Sequence, residues 1–172
     1  MKILAINNYD LEWAYNEPFK VPMHQTWGVD YMRELGHQVD TMTYINRGGQ
    51  LKLLKFNLSL LKKAFCYDVI ISFYSPCIYV LAYLKVLGII KAKLYTFVHH
   101  HGKRLYVPKG FDGLIYLSKN IKDLDDKLYH LNNSYLIDWN PQLAFYEETY
   151  QEMNDTKSIR CRTPIFISTG KS

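Results

Sequence analysis

"VIISFYSPCIYVLAYLKVLGII", Val69–Ile90, carries one formal charge, Lys85, and is long enough to cross a bilayer. Its reading decides the fold. Ser75-Pro76 divides the stretch, with β-branched residues before the break and helix formers after it. A buried parallel strand feeding a buried helix has the same hydropathy as a membrane span. Proline is pre-organised for a first helical position and serine for the cap before it. The break therefore predicts a strand over "DVIISFY" (68–74) and a helix that Ser75 caps and Gly88 ends.

The same alternation continues on both sides. "KILAIN" (2–7) is a predicted strand, and residues 7–25 a long loop. A helix follows over 24–35, with Trp27, Tyr31 and Leu35 on one face and Gly36 as its C-terminal cap. "HQVDTMTY" is the second strand, and "LKLLKFNLSLLKKAF" (51–65) a helix with Leu51, Leu54, Leu58, Leu61 and Phe65 at helical spacing. "AKLYTFV", "DGLIYL" and "SYLIDW" are the fourth, fifth and sixth strands, Ser118 caps the helix between the last two, and a helical tail covers 142–153. Strands alternating with helices, several of them continuous apolar runs, predict an α/β fold: a Rossmann-like doubly wound parallel sheet with helices on both faces. Residues 1–153 form this domain and 154–163 a polar linker. "PIFISTGKS" (164–172) then opens a new strand and glycine turn, as a phosphate-binding βα unit does. That pattern predicts a second domain beyond the linker.

At 172 residues with 48% hydrophobic and 22% charged residues, the chain has the composition of a globular protein. A net charge of +5 favours anionic partners. Nucleic acid is not expected, because the aromatic residues and lysines are not interleaved in any short basic cluster. Cys66, Cys77 and Cys161 lack Cys-x-x-Cys spacing, which predicts structural thiols in a reducing compartment. "MKILAINNYD" has no signal-peptide pattern, so a cytoplasmic protein is expected.

Five stretches together resemble the N-terminal half of GT-B glycosyltransferases of the family 4 type: "MKILAINNY", "YMRELGHQVDTMTY", "YDVIISFYSP", "YTFVHHHGK" and "FDGLIYLSK". "PIFISTGKS" is similar to the start of the family's donor-binding domain. Two departures stand out. The first loop lacks a Gly-Gly before Gly28, and Asn140-Pro141-Gln142 occupy the place of the family's Gly-Val-Asp. The resemblance implies an acceptor-binding domain whose enzyme moves a sugar from a nucleotide-sugar to a hydroxyl acceptor with retention, in polysaccharide or lipid-linked glycan synthesis. It implies no metal and no cofactor, and a donor-binding C-terminal partner domain that carries the paired glutamates, so that this chain is inactive alone. The alternative is a stand-alone Rossmann-like module that binds a nucleotide or another anionic ligand.

In an open α/β sheet, ligands bind beyond the carboxyl ends of the strands. That edge receives "HHHGKR", behind the fourth strand. The spacing is poor for a metal, since neighbours at a strand end point to opposite sides. By resemblance, His99 is the histidine of a Thr-x-x-His motif that contacts acceptor hydroxyl or donor sugar; the other reading is a strand-end histidine satisfied by backbone. His100 and His24 are further substrate-binding candidates, Lys103 and Arg104 would hold a phosphate, and Ser118 ends the fifth strand's Leu-Ser. Asp10 and Glu12, with Glu17, lie in the first loop as candidate acceptor contacts or a base. Gly170 and Lys171 would belong to the donor's phosphate loop. Asp123, Asp125 and Asp126 imitate a metal-binding Asp-x-Asp, but acidic residues are simply favourable near a helix N-terminus. The 51–65 helix packs its leucine stripe into the core in the ordinary reading. Because Leu53, Phe56 and Leu60 widen its apolar arc among Lys52, Lys55, Lys62 and Lys63, peripheral contact with the inner membrane face is a second expectation.

Overall fold

Six strands hydrogen-bond into one sheet, all parallel, in the order β2-β1-β3-β4-β5-β6. They are β1 (Lys2–Asn7), β2 (Gln38–Thr43), β3 (Val69–Ser72), β4 (Lys93–Val98), β5 (Gly113–Tyr116) and β6 (Ser134–Leu136). The computed structural model describes residues 1–16, 23–45, 49–100 and 107–137, all within one unit, Met1–Asn140. The helical tail at 142–153, the linker at 154–163 and the strand and turn at 164–172 lie outside the described residues, as does the end of the sixth strand at Trp139.

The helices are α1 (Leu11–Asn16), α2 (Val29–Glu34), α3 (Gly49–Ala64), α4 (Tyr79–Val86) and α5 (Lys119–Tyr129). Alternate side chains of a strand serve opposite faces, and both faces of β1 are apolar. Leu4 and Ile6 join Ile70, Leu94 and Leu114 in a core that also takes residues of α3 and α4, with Ile121 and Tyr129 of α5 packed on it. Ile3 and Ala5 turn the other way, onto Leu11 of α1 and Val29 of α2. Each fully buried Leu or Ile contributes about 1.5–3 kcal/mol. The fold is therefore Rossmann-like and doubly wound, as expected. Among the described residues no helix is long and apolar enough to cross a membrane; Val69–Ile90 is a strand, a 3-10 turn and a short helix.

Four local expectations change. First, the loop after β1 contains α1. Asp10 Oδ1 accepts the Glu12 amide at 2.9 Å, which is an N-cap interaction. Second, the helix expected over 24–35 is two pieces, a 3-10 turn at Met23–Thr26 and α2. Trp27 and Gly28 between them are both left-handed, with φ of 55° and 77°. Tyr31 and Leu35 are exposed, and Val29 takes the buried position. Third, Ser75 is not the cap of α4. A 3-10 turn, Ser75–Ile78, intervenes, and the Val80 amide at the start of α4 is met instead by Asn57 Oδ1 of α3 at 3.1 Å. Asn57 Nδ2 donates to Leu53 O at 2.9 Å and Pro76 O at 3.2 Å. A buried amide thus satisfies the opening of one helix from the middle of another.

Fourth, α3 is turned over. Leu60 and Ala64 are buried with Asn57, and Leu53, Phe56 and Leu61 pack on the core. The stripe through Leu51, Leu54, Leu58 and Phe65 is exposed. The reason is Asn57, whose two hydrogen bonds outside the helix, with Pro76 O and the Val80 amide, require the arc that carries it to face the start of α4.

Asn57→Ala removes those bonds and strands the Val80 amide and the Pro76 carbonyl. Equilibrium urea unfolding is expected to show a loss of about 2 kcal/mol, despite the better helix propensity of alanine.

Candidate functional site

Because every strand is parallel, Asn7, Thr43, Ser72, Val98, Tyr116 and Leu136 end on one edge of the sheet. The chain order reverses at β1: β2 lies on one side and β3 on the other. The crevice outside such a reversal is where open α/β sheets bind ligands. Here it lies between the segment after Asn7 and the segment after Ser72.

The side chains around it form one cluster. Trp27 stacks on Phe73 (ring centroids 5.1 Å apart, 29° between planes) and meets Phe97 and His99 edge-on at 5.1 and 5.6 Å. Its Nε1 donates to Tyr9 Oη at 2.5 Å, and Tyr9 Oη donates to Gln25 O at 2.5 Å. Burial raises the Tyr9 pKa, opposed by the Trp27 bond. Left-handed φ costs a tryptophan about 1 kcal/mol or more; these ring contacts and the indole hydrogen bond hold it there. The polar groups of the β3 and β4 ends are turned inward. Ser72 Oγ donates to Tyr74 O at 2.7 Å, and Thr96 Oγ1 to Ser72 O at 3.1 Å. Asn7 is buried, and its Oδ1 accepts the Asn8 amide at 2.8 Å. Its Nδ2 has no hydrogen-bond partner among the described residues, although it is near enough to Tyr9 to oppose a little of that phenol's pKa rise.

His99 follows β4 directly, half-buried, and its Nε2 lies 2.9 Å from Phe73 O. A carbonyl only accepts, so Nε2 carries the proton and Nδ1 keeps its lone pair. Burial, the largest influence, holds the imidazole below its ordinary 6.5; the Phe73 bond opposes this and His100 reinforces it. The ring is neutral at pH 7. The backbone does satisfy one nitrogen of His99, and the other keeps its lone pair.

No family model matches the chain, and neither does any curated protein.

The remaining candidates are distributed unevenly. His100 is exposed beside His99. Lys103 and Arg104 lie outside the described residues, as do Glu17, Gly170 and Lys171 and the side chain of His24. Asp10 caps α1. Glu12 accepts from Arg33 through both oxygens and from Thr41 Oγ1 at 3.1 Å, and Arg33 holds its carboxyl below 4.5. Asp10 thus fixes the start of α1, and Glu12 ties that helix to α2 and β2. Ser118 sits at the N-cap of α5 in extended conformation but makes no side-chain cap hydrogen bond.

Asp123, Asp125 and Asp126 diverge. Asp123 pairs with Lys119 and Asp126 with Lys122, whereas Asp125 is buried and accepts from Tyr116 Oη at 3.0 Å. None lies in the first turn of α5, so side-chain partners, not the helix dipole, account for them. Among the described residues no three His, Cys, Asp or Glu side chains group as metal ligands. Burial raises the Cys77 thiol to about 12, which leaves it unreactive. The residues sequence reasoning missed are Tyr9, Trp27 and Phe73. An aromatic residue beside glycine in "TWG" was the available signal.

Two measurements check this electrostatics. Proton NMR titration of His99 is expected to give a pKa below 6.5. A depressed folded value contributes stability that is full above about pH 6.5 and lost as pH falls through the folded pKa; His99→Gln should remove that part of the acid loss. Glu12→Gln should cost about 1 kcal/mol at pH 7 after solvent screening of a half-exposed pair. The difference should vanish as pH falls from 4.5 through the carboxyl's lowered pKa, when wild-type Glu12 is itself protonated.

Proposed function

We propose that this unit is the acceptor-side Rossmann-like domain of a nucleotide-sugar-dependent glycosyltransferase of the hexosyltransferase type. The observation that carries the reading is the His99 imidazole at the end of β4, its Nε2 held by Phe73 O beside the β1/β3 reversal. With Nε2–H committed to the backbone, Nδ1 is the atom that can accept a proton from a hydroxyl entering the crevice. Such a contact orients the attacking oxygen, and a neutral imidazole suits it better than a cation would. Tyr9 and Trp27, both half-buried and backed by the buried ring of Phe73, supply the apolar wall on which the C–H face of a sugar ring packs. Asn7 Nδ2, which has no hydrogen-bond partner among the described residues, is a buried donor at the same edge. The five stretches that resemble the GT-B family support the same reading. The donor nucleotide would be held largely by a second domain, and transfer requires both.

The test is a titration of histidine-labelled chain with octyl glycosides of glucose, galactose and N-acetylglucosamine, and separately with uridine diphosphate. Saturable shifts of the His99 resonances with at least one glycoside, absent from Trp27→Ala chain that is otherwise folded, are the expected outcome. Shifts with the nucleotide alone would favour the stand-alone nucleotide-binding module. No response to any of them would overturn the acceptor-site reading.

A further inference from the structure

The outward face of α3 has no explanation in the core. Leu51, Leu54 and Leu58, with Phe65 one residue past its end, follow one side of the helix and are between 47% and 66% exposed. Helix α4 packs against α3 and ends in exposed Val86 and Leu87, with exposed Ile89 following. Large apolar side chains concentrated in this way mark a contact surface. Its charge is one-sided. From residue 41 to 111 the sequence contains a single carboxylate, Asp68, against eleven lysines and arginines. Neither α3 nor α4 carries any Asp or Glu. Lys52, Lys55, Lys62 and Lys63 are exposed, and none pairs with a carboxylate among the described residues.

These properties distinguish between occupants. A second copy laid symmetrically on the stripe would bring four lysines against four lysines with no acid between them. A nucleic acid would meet the cations but leave the leucines in water. An anionic lipid surface satisfies both, since the leucines enter the acyl boundary while the lysine stems reach back to the headgroups. We infer that the outer face of α3, extended by the end of α4, docks the protein on an anionic membrane surface. The helix lies flat in the interface; it does not cross. The leucine register that faces away from the core is thereby the functional register of α3.

Flotation of the full chain with phosphatidylcholine vesicles, with and without phosphatidylglycerol, tests this independently of any sugar or nucleotide. Binding is expected only where phosphatidylglycerol is present, and weakened by salt. Leu58→Glu, on the exposed side, should weaken it tenfold or more, and Lys55→Gln with Lys62→Gln roughly tenfold or more, with circular dichroism unchanged in both. Failure to float, or binding indifferent to Leu58→Glu, would overturn the inference. So would a dimer that Leu58→Glu disperses while vesicles bind neither protein.

Discussion

Strand β1 is hydrogen-bonded on both edges and buried on both faces, and the rest of the molecule follows from that constraint. A parallel sheet cannot leave a face in water, because each return crossing must itself be packed somewhere. Leu4 and Ile6 require α3 and α4 on one side, and Ile3 and Ala5 require α1 and α2 on the other. Covering both faces obliges the chain to leave β1 in one direction and come back in the other. The crevice beside Asn7 is the geometric residue of that reversal, so core and candidate site have one origin.

Two side chains do much of the joining. Asn57 meets an amide and a carbonyl that would otherwise face the core unpaired, and so fixes how the segment after β3 enters α4. That segment begins with Phe73, whose carbonyl holds His99 and whose ring supports Trp27. Trp27 in turn draws Tyr9 across from the β1 side. The cleft wall is thus assembled from three loops that have no sequence proximity, each held by a specific polar bond beneath an aromatic contact.

The parallel sheet was legible in the sequence because apolar runs such as "VIIS" are buried on both faces and need no partner to declare themselves. Glycines marked ends faithfully: Gly36 and Gly88 both take positive φ after their helices. What could not be read were features that tertiary contacts impose. Nothing local distinguishes Trp27 from a helical residue; its left-handed backbone is stabilised by rings from β3 and β4. The α3 sequence offers two apolar arcs, and the choice rests on Asn57, a polar residue that sequence logic places outside. Helix α1 was within reach, since Asp10 before "LEW" is an N-cap signal. At the candidate site the position of His99 was legible from topology alone, but its tautomer and neutrality depend on a carbonyl 26 residues away.

The central place of β1 also orders events during synthesis. The first of these six strands to be made is flanked in the sheet by β2 and β3, and no pair in this sheet is a hairpin that could form locally. Until the chain has been extended past Ser72, one edge of β1 has no neighbour, and its apolar faces wait on helices still to come. Contacts separated this widely close slowly, and an unpaired apolar edge is where aggregation begins. The growing sheet therefore passes through a window, roughly from the completion of β2 to that of β3, in which one edge of its central apolar strand is unpaired.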